Sequence, residues 1–105
     1  MIAEKLKSMV RFGSRNTRYK DVFDICYLSE QVNMEKLKDC IRKYIFEDET
    51  LRNVSDMDAV IRRIKRMFSD PDYRKELHKS GKNWMDISDD EAMQKLMAFL
   101  ESISF

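Results

Sequence analysis

The sequence predicts an all-α protein, a small helical bundle of about five to six helices, and three observations carry that reading. Only two Gly and one Pro occur in 105 residues, too few for the turns of a strand-rich fold, while good helix formers (Leu, Met, Glu, Lys, Arg) are abundant. Apolar residues recur at three- and four-residue spacing along most of the chain. Ser, Asp, Asn and Gly stand where those stretches begin and end. The length is that of one domain, so residues 1–105 are expected to form a single helical unit.

Each helix follows from its own pattern. Ile2, Leu6, Met9 and Val10 place a first helix over about 2–12, which Gly13 ends as a left-handed cap. "GSRNT" is a polar loop, and Asn16 or Thr17 is placed to cap a second helix over 18–31, whose apolar set is Val22, Phe23, Ile25, Cys26 and Leu28. Asn33 caps a third over 34–47, with one wide stripe of Met34, Leu37, Cys40, Ile41, Tyr44 and Ile45. "EDETLRN" breaks the pattern. Ser55 with Asp58 three residues on starts a fourth helix, in which Met57, Val60, Ile61, Ile64, Met67 and Phe68 lie opposite Arg62, Arg63, Lys65 and Arg66. Ser69 or Asp70 before Pro71, and Gly81 beyond, bracket a short fifth helix. "KNWMDI" connects it to a sixth, opened by Ser88 and Glu91 as a capping box, with Met93, Leu96, Met97, Leu100 and Ile103 facing inward. Trp84, the only Trp, is expected to pack over the bundle as an anchor.

Composition excludes several function classes. Twenty basic and 19 acidic residues leave a net charge of +1, so no global field draws the protein to nucleic acid and any basic site must be local. No apolar run approaches a membrane span and the start lacks a signal peptide's apolar core, so a cytoplasmic protein is expected. Cys26 and Cys40 stand singly without a CxxC or a His cluster, which reads as free thiols in the core and no metal site. His78 is a lone surface histidine, and the basic side of the fourth helix is what any soluble amphipathic helix carries.

The opening stretch is less ordinary. In "AEKLKSMVRFGSRNTRYKDVFD", Lys5, Lys7, Arg11, Arg15, Arg18 and Lys20 precede Asp21 and Asp24. On a helix, Lys20, Asp21 and Asp24 share a face beside Phe23, and two acids beside several cations can orient a lysine or arginine toward phosphate. The same residues can equally form an ion-pair network that joins the first two helices. Both readings stand at this level.

"AEKL", Arg11 and "RYKDVFDICYL" resemble the segment "AEKLxAxxxR…RxKDxxDLxxL" of the AbiEii/AbiGii-type nucleotidyltransferase toxins of bacterial abortive-infection systems; the likeness is dense over residues 3–28, a quarter of the chain. The resemblance implies the helical portion of a polymerase-beta-type enzyme, with Lys5 on the nucleotide phosphates and Asp21 as a catalytic or supporting acid. By the same token Arg11, Arg18 and Lys20 would bind nucleotide, with Glu4 and Asp24 in support. A complete family site would take Mg and a nucleoside triphosphate; none is expected on the isolated chain. The family's metal motif, a Gly-Ser or Gly-Gly turn followed by Asp-x-Asp on a strand, normally lies upstream of "AEKL". Gly13-Ser14 followed by Asp21 and Asp24 imitates it only superficially, since acids at i and i+3 on a helix differ from a strand pair at i and i+2. The expectation is therefore a truncated or split C-terminal helical part, inactive alone, whose site a missing nucleotidyltransferase domain or separate chain completes. The alternative is a helical interaction or oligomerisation module. Removal of the catalytic half would expose Ile2, Leu6, Met9, Val10, Phe12 and Phe23, which predicts a homodimer through helices 1 and 2.

Overall fold

The computed structural model describes residues 2–51 and 53–105, and these contain helices and turns but no strand. The α-helices are α1 (Ile2–Phe12), α2 (Lys20–Leu28), α3 (Met34–Ile41), α4 (Met57–Ser69), α5 (Pro71–Lys79) and α6 (Asp89–Ser102). Short 3-10 turns at Gly13–Arg15 and Ser29–Gln31 and a π segment at Arg42–Phe46 complete the order. Arg52, in the "EDETLRN" connector, lies outside the described residues.

Four of the expected helix boundaries hold for the physical reasons given. Gly13 and Gly81 adopt φ of 56° and 65°, a left-handed conformation that costs glycine little. Asn33 caps α3 by accepting from the Lys36 N–H, and Ser88 caps α6 by accepting from the Glu91 N–H. Elsewhere side chains compete with the helix. Asn16 accepts the Arg18 N–H at 2.7 Å, which ties up that segment, and α2 begins at Lys20 without a side-chain cap instead of at residue 18. Asp56, not Ser55, caps α4 by accepting from Ala59, while Asp70 accepts from Asp72 ahead of Pro71. The third helix does not run on as an α-helix: Glu47 N–H bonds to the Arg42 carbonyl, five residues back, and the widened turn keeps Ile45 fully buried.

The principal extents are 34 × 28 × 18 Å, so the thin dimension is that of about two helix layers, each about 10 Å across. α1 packs against α2, α3 and α4, and α6 covers α2 and α4. Leu6, Phe23, Ile64, Leu96 and Leu100 meet in the resulting core, each contributing about 1.5 to 3 kcal/mol by its burial. This overturns the exposed apolar patch expected on α1 and α2. Ile2, Leu6, Met9, Val10 and Phe23 are buried by the chain's own helices, and of that set only Phe12 stays exposed. Among the described residues no continuous apolar surface is left on α1 and α2 for the homodimer expected there. Cys26 is a buried free thiol, pushed up in pKa chiefly by burial, with Lys95 opposing and Glu30 and Glu91 adding. Cys40 is a half-buried free thiol. Among the described residues no helix is long and apolar enough to cross a membrane.

Candidate functional site

Where α1 meets α2, the acids and bases of the opening stretch form a single chain of contacts. Lys5 Nζ donates to Asp21 Oδ1 at 3.1 Å and to Asp24 Oδ2 at 3.4 Å. Arg18 Nε donates to Asp21 Oδ2 at 3.0 Å. The indole Nε1–H of Trp84, from the connector between α5 and α6, donates to Asp24 Oδ1 at 3.0 Å. Packing of Leu6 and Phe23 into the core fixes the two helices and so aims Lys5 at the first turn of α2.

The lysine is held in shelter. Its side chain is 18 % exposed and that of Asp21 only 5 %. Burial works against the Lys5 ammonium, but the hydrogen bonds and attraction of Asp21, and then of Asp24, outweigh it and raise its pKa above the ordinary lysine value. Buried Asn16 buttresses the corner, since its Nδ2 donates to Ser8 Oγ at 3.3 Å while its Oδ1 holds the Arg18 backbone. Tyr73, buried nearby in edge contact with Tyr19, has its phenol pKa raised by burial first and then by Tyr19 and Asp21.

Two chemical properties follow. Lys5 commits two of its three N–H donors and keeps one, while Arg18 spends only Nε and holds its two terminal nitrogens on a side chain that is 67 % exposed. Both can meet a phosphate oxygen. The carboxylates, in contrast, are engaged: each of the four oxygens of Asp21 and Asp24 accepts one N–H bond from Lys5, Arg18 or Trp84. Magnesium demands near-octahedral oxygen ligands close to 2.1 Å, and here each oxygen already accepts an N–H bond, three of the four from the cations Lys5 and Arg18, whose charge opposes a second cation. The pair does not fit a magnesium ion. The two Asp-x-Asp strings, 56–58 and 70–72, do not supply one either, since each stands at a helix start where its first acid is the N-cap. Among the described residues no cluster of His, Cys, Asp or Glu suits a metal.

The structure therefore gathers Glu4, Lys5, Arg18, Asp21 and Asp24. Glu4, Lys5, Ser8, Arg18 and Asp21 line a hollow of about 120 Å³, which holds about four waters or one phosphate group and is well below the 300 Å³ at which small-molecule pockets begin. Lys20 starts α2 as an exposed cation, and Asp24, four residues on, pairs with Lys5 instead. Arg11 lies about 9 Å further along α1 and sits over the Phe12 ring, outside the hollow.

Sequence reasoning missed Trp84. It is 50 % exposed and edge-on to exposed Tyr27 with ring centroids 5.3 Å apart, so it is a rim residue of this cluster and not a buried anchor. Only its singularity among polar neighbours in "KNWMDI" signalled a special position. His78, which the sequence left without a carboxylate, meets Asp89 Oδ2 at 3.1 Å through Nδ1 on the surface.

A family model described as "Nucleotidyl transferase AbiEii toxin, Type IV TA system" matches residues 1–100, well beyond the 3–28 stretch in which the likeness is dense. No curated protein and no solved structure matches.

Proposed function

Because the chain belongs to the AbiEii nucleotidyl transferase toxin family of type IV toxin–antitoxin systems, we propose that it is the helical part of such an enzyme and serves its phosphate side. In this reading Lys5 and Arg18 face the nucleotide phosphates, Asp21 and Asp24 orient Lys5, and Glu4 and Lys20 flank them. The metal-holding carboxylates come from a nucleotidyl transferase domain in the same polypeptide or in a separate chain. The observation that carries the reading is the commitment of all four Asp21 and Asp24 oxygens to N–H donors, with a lysine donor and the Arg18 terminal nitrogens left over. A lysine point charge and an arginine fork are the groups that stabilise transferring phosphates by position and charge alone.

The isolated chain is then inactive. Incubated with labelled nucleotides, magnesium and transfer RNA, it should incorporate no label above a Lys5→Ala control, and incorporation above that control overturns the reading. Addition of a separately prepared family domain carrying the Gly-Ser…Asp-x-Asp strand should restore transfer that Lys5→Ala abolishes. A second reading, a helical interaction module in which the cluster only joins α1 to α2, is favoured by its charge balance: Lys5 and Arg18 cancel Asp21 and Asp24. Transfer restored equally by the Lys5→Ala chain would select it.

A further inference from the structure

The folded chain brings a second set of basic residues together around a hollow other than that of Lys5. The Gly13–Arg15 turn packs against α4 and, with the C-terminal half of that helix, flanks a hollow of about 400 Å³ lined by Gly13, Ser14, Arg63, Arg66, Met67, Ser69 and Asp70. Arg62, one helical turn before Arg66, continues the surface outward, and Arg63 reaches across to donate to the Val10 carbonyl at the end of α1 at 3.4 Å. Arg11, Arg15, Arg62, Lys65 and Arg66 are exposed, and none of them forms an ion pair among the described residues. The acids of this face are Asp58 in the first turn of α4 and Asp70, whose carboxylate is engaged as the α5 cap. Phe12 is 53 % exposed at the same corner, with the Arg11 guanidinium 5.7 Å from its ring centroid.

We propose that this surface binds single-stranded nucleic acid, the arginines and Lys65 tracking the phosphates while Phe12 stacks on a base. Charge selects the ligand class: uncompensated cations on a nearly neutral protein gain by releasing the counterions of a polyanion. The exposed ring selects single strands, because a base must leave its duplex to stack on it. The hollow has room for a backbone phosphate and its sugar. This surface shares no residue with the Lys5 cluster and does not depend on it.

Fluorescence anisotropy of the full chain with a labelled oligoribonucleotide of about 12 nucleotides tests the proposal, with the DNA of equal sequence as a second arm. Binding should weaken with salt at a slope of roughly −0.7 per phosphate neutralised. Arg62→Glu with Arg66→Glu should weaken it by roughly tenfold or more and flatten that slope. Lys36→Glu with Lys43→Glu, an equal change of charge at exposed positions elsewhere, should leave it within about twofold. Phe12→Ala should lower affinity with the slope unchanged. Circular dichroism would confirm that each variant folds. Absence of binding, equal loss in both charge-reversed pairs, indifference to Phe12→Ala, duplex RNA bound as tightly as the single strand, or binding to anionic vesicles alone would each overturn it.

Discussion

The two basic regions of this protein differ in what surrounds their cations. At the α1–α2 corner each central cation has a carboxylate, the carboxylates are nearly buried, and the sum of charge is close to zero. On α4 and the Gly13–Arg15 turn Arg15, Arg62, Lys65 and Arg66 are exposed, and among the described residues none of these four has an acid within ion-pair distance. A compensated cluster holds geometry and can offer only the donors left over, whereas an uncompensated one attracts polyanions with little geometric selection. The proposed phosphate site lies in the compensated region, where geometry and not net charge would select the ligand.

Stability separates the regions most strongly. Asp21→Ala leaves Lys5 sheltered with one partner and frees Arg18, and should cost about 2 to 4 kcal/mol in urea unfolding. Arg66→Ala removes an exposed, unpaired group and should change stability by no more than about 0.5 kcal/mol. Similar losses at both positions would erase the distinction.

The reach of the sequence follows the same divide between local and distant causes. The helices, the Asn33 and Ser88 caps and the Gly13 and Gly81 ends were legible because each rests on residues within one turn. The π segment at Arg42–Phe46 was not, because it depends on where Ile45 must sit in a core assembled by other helices. Lys5, Asp21 and Asp24 were legible as a group through family resemblance, but the remaining partner of Asp24 is a donor 60 residues away, Trp84. The exposed patch expected on α1 and α2 failed because pattern alone does not tell which surface of the same chain will cover an apolar stripe.

Trp84 provides a sharper, smaller test. It is the only Trp, so emission reports this corner alone. Asp24→Ala removes the acceptor of its indole N–H and should shift the emission while costing about 1 kcal/mol. Arg62→Glu should leave that spectrum unchanged. An unshifted Asp24→Ala spectrum would remove Trp84 from the cluster.

The smallest effects concern pH. The Lys5 pKa is raised in the folded state, so its contribution is complete below the ordinary lysine value of 10.5 and fades only as pH climbs through the folded value. Asp48 is the opposite case. The hydrogen bond from Lys7 first, and those from Thr50 next, hold its carboxyl well below the usual range, so its stabilisation exists above that range and disappears in acid. The stability gap between wild type and Asp48→Asn should therefore begin to narrow below about pH 4 and keep narrowing in stronger acid, whereas the gap for Lys5→Met should persist from there to pH 9. Reversed windows would refute these assignments.

In the proposed function the Asp21 and Asp24 carboxylates serve Lys5, Arg18 and Trp84 in place of magnesium. Nitrogen-15 NMR of the isolated protein titrated with millimolar magnesium, alone and then with a nucleoside triphosphate, tests it directly. The account predicts no saturable magnesium shift at Asp21, Asp24 or the Trp84 indole N–H, and weak, salt-sensitive nucleotide shifts at Lys5 and Arg18. A saturable magnesium shift at both aspartates, with release of the Trp84 N–H, would contradict it.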